Sequence, residues 1–180
     1  MIFMGRPKKH MVEKDRPISF TVTKSQIGRE ASGTHGSIRG SKVYFGKAAV
    51  PFVAKVYQPH LPKDQARNDF RMLSMFRSIG CKVVPTFMCV KPNGMNPILV
   101  LTDLRRGGKF VVQSMVKTKN VKNKKEIDEI VKKNVLLASK HGIHLRMDSW
   151  VVAIDKKTRI GTPYISDVVG CFGWKKLVKG

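Results

Sequence analysis

The segment formed by residues 141–170 constrains the fold of this chain more than any other. Its polar first part leads into an apolar run at residues 150–154, and a basic turn separates that run from a second short run at residues 163–165. Two β-prone runs joined by a turn predict a β-hairpin. Such a hairpin can present Asp148, which precedes it, and Asp167, which follows it, to a common cleft.

The N-terminal part predicts strands on either side of a glycine-rich turn. We expect three strands here, at residues 18–23, 43–45 and 51–57. The run 28–40 contains Gly33 and Gly36, and glycines let backbone N–H groups close on a phosphate without obstruction by a Cβ atom. The spacing from these glycines to Lys55, in the third strand, suits a glycine-rich hairpin folded over the same pocket.

A helix and two further strands are expected next. Apolar residues recur every three positions over residues 65–79, which predicts an amphipathic helix. Asp69 lies in this helix, four positions before Leu73 of the apolar stripe. The apolar runs 83–90 and 97–101 are separated by a turn and predict the fourth and fifth strands.

The order of these features resembles the protein kinase superfamily. The segment Phe52-Val-Ala-Lys55-Val is similar to the kinase strand whose lysine pairs with nucleotide phosphates. Residues 102–108 resemble the hinge between the kinase lobes, and residues 142–151 resemble the catalytic loop. Asp167 stands where kinases have the aspartate of the Asp-Phe-Gly motif.

The resemblance implies an α+β, protein-kinase-like fold. Its small lobe would be a five-stranded antiparallel sheet with one helix, and its large lobe a minimal, truncated unit of helix and hairpin. The corresponding parts of the chain are a basic N-terminal tail at residues 1–17, the small lobe at residues 18–102, and the hinge with the truncated large lobe at residues 103–180.

The resemblance also implies roles for particular residues. ATP would be bound by the glycine turn and by Lys55, with Asp69 as a shorter ion-pair partner than the usual glutamate, and Mg²⁺ by Asp167. Gly33 and Gly36 would belong to that turn. Two simpler interpretations remain open: Lys55 as a strand lysine that reaches solvent, and Asp69 as a first-turn aspartate favoured by the helix dipole.

Several positions depart from the kinase pattern. Aligned without gaps, the loop has Arg146 where kinases have the catalytic Asp and Val151 where they have a metal-binding Asn. Asp148 could accept a proton only if the loop is two residues longer, and Ala153 would then replace the Asn. Two residues separate Asp167 from the next glycine, one more than in the Asp-Phe-Gly motif, and no Ala-Pro-Glu segment comes after it. We therefore expect the kinase surface for protein substrates to be missing.

The charge of the chain predicts a polyanionic partner. There are 35 Lys and Arg residues against 12 Asp and Glu, a net charge of +23. The excess continues through the linker 117–125 and onto Lys132, Lys133 and Lys140, on the outer side of a second helix expected at residues 126–140. Such a chain is expected to seek nucleic acid, an acidic protein surface or anionic lipid.

Targeting and cysteine patterns favour an intracellular location. No apolar run is long enough to span a bilayer, and the apolar start of the chain is too short for a secretory signal. The three cysteines share no metal-type spacing and suit a reducing compartment. The cytoplasm, the nucleus or a virion would fit.

Three functions follow from these patterns. The first is a non-catalytic, kinase-like basic protein with a structural or binding role in a larger assembly, for example a minor capsid or core component of a large DNA virus. The second is a small ATP-dependent protein kinase that uses Lys55, Asp148 and Asp167. The third is a nucleotide- or nucleic-acid-binding module.

Overall fold

The structure, a computed structural model, describes residues 27–30, 41–46, 52–59, 61–85, 87–105 and 107–168. Within these ranges the fold is α+β, with two antiparallel sheets and two α-helices. The first sheet contains β1 (Ile27–Glu30), β2 (Ser41–Gly46), β3 (Phe52–Tyr57), β4 (Phe87–Val90) and β5 (Ile98–Thr102). The second contains β6 (Phe110–Ser114), β7 (Trp150–Asp155) and β8 (Gly161–Ile165), and the helices are α1 (Gln65–Ser78) and α2 (Lys124–Lys140).

Strand β3 lies at the centre of the first sheet, whose order is β1-β2-β3-β5-β4. Because side chains alternate along a strand, the two faces of this sheet differ. One face carries a small apolar cluster that includes Phe52, Ala54 and Ile98. The other face carries Lys55 and Leu99 and packs against α1, whose Leu73 and Phe76 are fully buried.

The first sheet differs from the prediction at β1, which was expected to be part of a turn, and at the start of β4. The strand expected at residues 18–23 lies outside the described residues, and β1 instead occupies the start of the run predicted as a glycine-rich turn. This part is extended because it pairs with β2, with an irregular register between Ile27 and Glu30. Strand β4 begins only at Phe87, four residues later than predicted at Val83, because Val83 pairs with β8 in the other half of the molecule.

The predicted hairpin of residues 141–170 is present as β7 and β8, paired from Trp150–Ile165 to Ile154–Gly161. Its partner β6 was not predicted from the sequence. Strand β6 lies along β7 from Phe110–Asp155 to Ser114–Val151 and completes the second sheet.

Both helices lie close to their predicted positions and end at glycines. Gly80, two residues after α1, and Gly142, two residues after α2, have φ values of +86° and +70°, a left-handed conformation that glycine adopts without a steric penalty. Helix α2 packs on β8 so closely that a Cβ atom at Gly161 would lie 2.9 Å from the Ile127 side chain. None of the described residues forms a helix that is both long and apolar enough for a bilayer span.

Residues 81–84 join the two halves of the molecule. One half is the first sheet with α1, and the other is the second sheet with α2. The backbone N–H of Ile165 donates to the carbonyl of Lys82 at 2.9 Å, and that of Val84 donates to the carbonyl of Ile165 at 3.1 Å. The side chain of Asn134, from α2, accepts the backbone N–H of Lys82. The end of β8 is thereby fixed against the segment that follows α1, and a single apolar core runs through both halves.

Candidate functional site

Lys55 lies at the meeting point of the two halves. Its ammonium group donates to Asp167 Oδ1 at 2.8 Å and to Asp69 Oδ2 at 3.2 Å. The three residues come from β3, from α1 and from the segment after β8. Because Lys55 is only 3% exposed, the interpretation of this residue as a lysine reaching solvent is wrong.

Asp69 is surrounded by donors. Its Oδ2 also accepts a hydrogen bond from the hydroxyl of Tyr57 at 2.6 Å, and its Oδ1 accepts one from the side-chain amide of Gln65 at 2.7 Å. It is 2% exposed, and the first turn of α1 has no acidic residue. The interpretation of Asp69 as a first-turn residue favoured by the helix dipole is therefore wrong, since it lies deeper in α1 and faces the sheet.

The ionisation states follow from this geometry. Burial by itself would lower the pKa of Lys55, but the carboxylates of Asp167 and Asp69 outweigh it and raise that pKa above its ordinary value. Burial and the carboxylate of Asp69 raise the pKa of Tyr57. At neutral pH the lysine is therefore charged and the tyrosine carries its proton, as the observed hydrogen bonds require.

Asp167 is the exposed member of this cluster. Its side chain is 36% exposed, and its backbone N–H and that of Ser166 both donate to the carbonyl of Ser149, at 3.2 and 3.0 Å. Ser149 ends the short 3₁₀ helix Met147–Ser149, which contains Asp148. The segments that carry Asp148 and Asp167 are thus joined at the same end of the hairpin, in keeping with the predicted common cleft.

The side chain of Asp148, however, is engaged elsewhere. Its Oδ2 accepts a hydrogen bond from Arg146 Nη2 at 2.8 Å, and the two side chains are 58% and 45% exposed. No ion pair links Asp148 to Lys55 within the part of the chain that the structure describes. The residue proposed as a proton acceptor therefore forms an exposed pair with its own neighbour in the loop.

A second charged pair lies just after β5 and was missed from the sequence. Arg105 donates through Nε and Nη2 to the carboxylate of Asp103, which is 8% exposed, and the guanidinium lies 3.4 Å from the ring centroid of Phe45 on β2. The hydrogen bonds to Asp103 raise the pKa of Arg105. The only signal in the sequence was an acid two residues before an arginine at the end of a buried strand.

A small cleft lies beside this pair. It has a volume of about 100 Å³ and is lined by side chains from the segment after β5 and from all three strands of the second sheet: Leu104, Phe110, Ala153, Thr162 and Tyr164. The cleft is therefore mostly a feature of the second sheet, next to the segment that joins the two sheets.

The remaining predicted site residues are the two glycines of the predicted turn. Gly33 and Gly36 lie outside the described residues. Among the described residues, no group of three or more His, Cys, Asp or Glu side chains is arranged to hold a metal ion. Within the described part of the chain, Asp167, the residue expected to bind Mg²⁺, does not belong to such a group. Burial raises the pKa of the Cys81 thiol to about 11, which makes it a poor nucleophile at neutral pH.

In comparisons with known proteins, no family model and no curated protein matches this chain.

The chemistry open to the site is limited by its charges. One ammonium group faces two carboxylates, so the cluster of Lys55, Asp69 and Asp167 carries a net negative charge. An incoming phosphate would have to displace Asp167 from the lysine or arrive with a cation.

Proposed function

We propose that this chain is a kinase-like scaffold that has a non-catalytic, binding or structural role in a larger assembly. The kinase-like interpretation is supported by the order of the elements and by the convergence of three residues predicted from sequence motifs. Lys55, Asp69 and Asp167 come from distant parts of the sequence and meet within hydrogen-bonding distance. A strand, a helix and a hairpin can pack together in many ways that would not bring these three side chains into contact.

The exposed pair between Arg146 and Asp148 carries the non-catalytic part of the proposal. Phosphoryl transfer to a hydroxyl group needs a carboxylate that can take up the proton. In this chain an arginine stands at the aligned position, and the nearest carboxylate in the loop accepts a hydrogen bond from that arginine at 2.8 Å. The cation also opposes the approach of a metal ion.

The pairing of Lys55 supports the scaffold part of the proposal. Active kinases also pair this lysine with an acid of the helix, so the contact by itself does not distinguish an active from an inactive protein. Here the ammonium group is held between two carboxylates and is 3% exposed. Its contribution is then to fix β3, α1 and the hairpin relative to one another. The net charge of +23 favours the binding of such a scaffold to an assembly that contains a polyanion, such as a nucleic-acid-containing particle.

An activity assay tests the proposal directly. The purified protein is incubated with ATP and Mg²⁺, and both phosphate release and transfer to general protein substrates are measured, beside the variants Asp167→Asn and Asp148→Asn. We expect all three proteins to show the same background rate. Turnover by the unmodified protein that disappears in Asp167→Asn would reject the non-catalytic role and favour a small active kinase.

Retention of a nucleotide without turnover is a second candidate, favoured by the cleft beside Leu104 and Phe110. At about 100 Å³, against roughly 300–1,000 Å³ for typical ligand pockets, this cleft could enclose only part of a nucleotide. This candidate predicts that ATP raises the melting temperature through preferential binding to the folded state. Absence of a shift at saturating ATP, both with and without Mg²⁺, would exclude it.

A further inference from the structure

Six exposed lysines lie around the turn that joins β7 and β8. This group, called the basic end below, consists of Lys109, Lys122, Lys124, Lys125, Lys156 and Lys157. They belong to three segments: the residue before β6, the linker into α2 with its first turn, and the β7–β8 turn. The turn is at the opposite end of the hairpin from Asp167, roughly 15 Å away at about 3.3 Å per strand residue.

Backbone hydrogen bonds bring the first and third segments together. Phe110 pairs with Asp155 across β6 and β7, so Lys109 lies next to the turn. The backbone N–H of Lys156 donates to the carbonyl of Lys109 at 3.2 Å. The ammonium of Lys156 also lies about 4 Å from the position that a Cβ atom would take at Gly108.

The linker is attached to the other side of the same turn. The backbone N–H of Lys122 donates to the carbonyl of Arg159 at 3.0 Å. The side chain of Asn123 forms two hydrogen bonds with the backbone of Gly161, one to the carbonyl at 2.9 Å and one from the N–H at 2.8 Å. The start of α2, with Lys124 and Lys125, therefore lies beside the turn.

Arg159 holds this arrangement together. Its Nε and Nη2 donate to the carbonyl of Asn120 at 3.0 and 2.7 Å. Both residues have positive φ values, +62° for Arg159 and +57° for Asn120, a conformation that is unfavourable for residues other than glycine. Hydrogen bonds within the chain thus hold two like-charged segments side by side.

Acidic residues near the basic end pair with only some of its lysines. Residues 109–125 contain six lysines and no acidic residue, and the first turns of α2 that follow contain Glu126, Asp128 and Glu129. Asp155, in the turn, accepts the backbone N–H groups of Lys157 and Thr158 at 2.8 and 2.9 Å and lies 3.9 Å from Lys109.

Nearby, Asp128 pairs with Lys124 at 2.9 Å. Among the residues that the structure describes, no ion pair involves four of the six lysines: Lys122, Lys125, Lys156 and Lys157.

We propose that the basic end binds the phosphate backbone of a nucleic acid duplex. Clustered lysines act as point charges for phosphates and gain affinity by releasing counterions. Single-strand binders add exposed aromatic side chains on which bases stack, and no Phe, Tyr or Trp side chain among the described residues is exposed. The contact would therefore be independent of base sequence. This proposal concerns a different surface from the Lys55 cluster and does not depend on the kinase-like interpretation.

The test compares two variants with the same change in charge. The first is the triple variant Lys122→Ser, Lys156→Ser, Lys157→Ser in the basic end. The matched control is Lys132→Ser, Lys133→Ser, Lys140→Ser on α2, where all three lysines are also exposed. Binding to a fluorescent mixed-sequence DNA duplex is measured by anisotropy over a series of salt concentrations, and circular dichroism verifies that each variant is folded.

We expect the basic-end variant to lose at least about tenfold in affinity and to lower the slope of log K against log salt by about two to three, since each lost phosphate contact removes about 0.9. The α2 variant should change the affinity and the slope much less. Equal losses in both variants would overturn the proposal, because net charge alone would then explain binding.

Two other outcomes would also reject the duplex. One is a clear preference for a single-stranded oligonucleotide. The other is binding to phosphatidylserine vesicles or to an acidic polypeptide that the basic-end variant loses, while duplex affinity is absent or unchanged. Each of these results points to a different kind of partner for the same lysines.

Discussion

Lys55 and the lysines of the basic end place the same side chain in opposite environments. Lys55 is 3% exposed and faces two carboxylates. Lys156 and Lys157 are exposed, and neither has an ion-pair partner among the described residues. In a buried position an ammonium group must be compensated within the fold, whereas an exposed one is compensated by water, by salt or by a partner.

This difference separates lysines that build the molecule from lysines that can recognise something. Removing a buried charge leaves its partners uncompensated and is costly. Removing an exposed charge costs the fold little but changes its affinity for polyanions. Stability and binding measurements on matched variants should therefore give opposite patterns for the two sites.

The largest effect is expected when Lys55 is replaced by Met, which retains the apolar stem and removes the ammonium group. Asp69 and Asp167 would then face each other without a cation, so the free energy of unfolding should fall by about 3–5 kcal/mol. The control Lys125→Met makes the same replacement in the basic end and should stay within about 0.5 kcal/mol of the unmodified protein. Urea denaturation measures both, and similar losses for the two variants would contradict the structural role of Lys55.

Removing the charge of the buried carboxylate should cost more stability than removing the charge of the exposed one. Asp69→Asn removes the charge from a buried acceptor of three hydrogen bonds, so we expect a loss of about 2–3 kcal/mol. Asp167→Asn affects a side chain that is 36% exposed, where solvent screening limits the loss to about 1 kcal/mol or less. If Asp167→Asn proved the more damaging in denaturation experiments, the side chain of Asp167 would have to be more buried than the structure shows.

Alkaline pH provides a further test of the buried cluster. The folded state raises the pKa values of Lys55 and Tyr57, so above the ordinary values of 10.5 and 10.0 the unfolded chain releases protons that the folded chain keeps. Stability contributed by these groups is thus present at neutral pH and lost as the pH rises through that range.

The variant Tyr57→Phe isolates the tyrosine part. At neutral pH it should cost about 1–2 kcal/mol, because the hydroxyl donates to a buried carboxylate. The difference from the unmodified protein should then shrink as the pH rises above the ordinary pKa of tyrosine. A difference that stays constant over the alkaline range in denaturation curves would mean that Tyr57 is not held in its protonated form.

The three residues of the buried cluster were singled out by the kinase resemblance and not by periodicity. The three-residue repeat of α1 predicted the helix that carries Asp69, and the hairpin placed Asp167 just after its end. The exposed pair of Arg146 and Asp148 could not be predicted as a contact, since the kinase resemblance only indicated an arginine where that family has an acid. Side-chain pairing in a loop depends on local backbone geometry that no periodicity reports.

Other features depended on tertiary contacts. All five residues of β6 are partly exposed, so this strand lacks the alternation that marks a half-buried strand. The contact between Arg105 and Phe45 joins segments far apart in the sequence. The linker 117–125 was predicted to be exposed and rich in lysine, but its attachment to the β7–β8 turn depends on the hydrogen bonds of Asn123 and Arg159.

The smallest expected effect concerns the exposed pair, and it sharpens the contrast with Lys55. A double-mutant cycle with Arg146→Ala and Asp148→Ala should give a coupling energy of at most about 0.5 kcal/mol, since both side chains are in contact with solvent and salt screens their attraction. The matched cycle with Lys55→Met and Asp69→Asn should give several times that value, because there the partners share a buried site.

A large coupling between Arg146 and Asp148 would mean that the arginine stabilises the loop. A small coupling would mean that the arginine is not needed for the stability of the loop. The single variant Arg146→Ala then separates two possibilities, because it frees the Asp148 carboxylate without changing the fold. If ATP turnover remains at background in this variant, removal of the cation is not enough to produce activity, as the proposed non-catalytic role requires. If turnover appears, Arg146 alone was holding the site inactive.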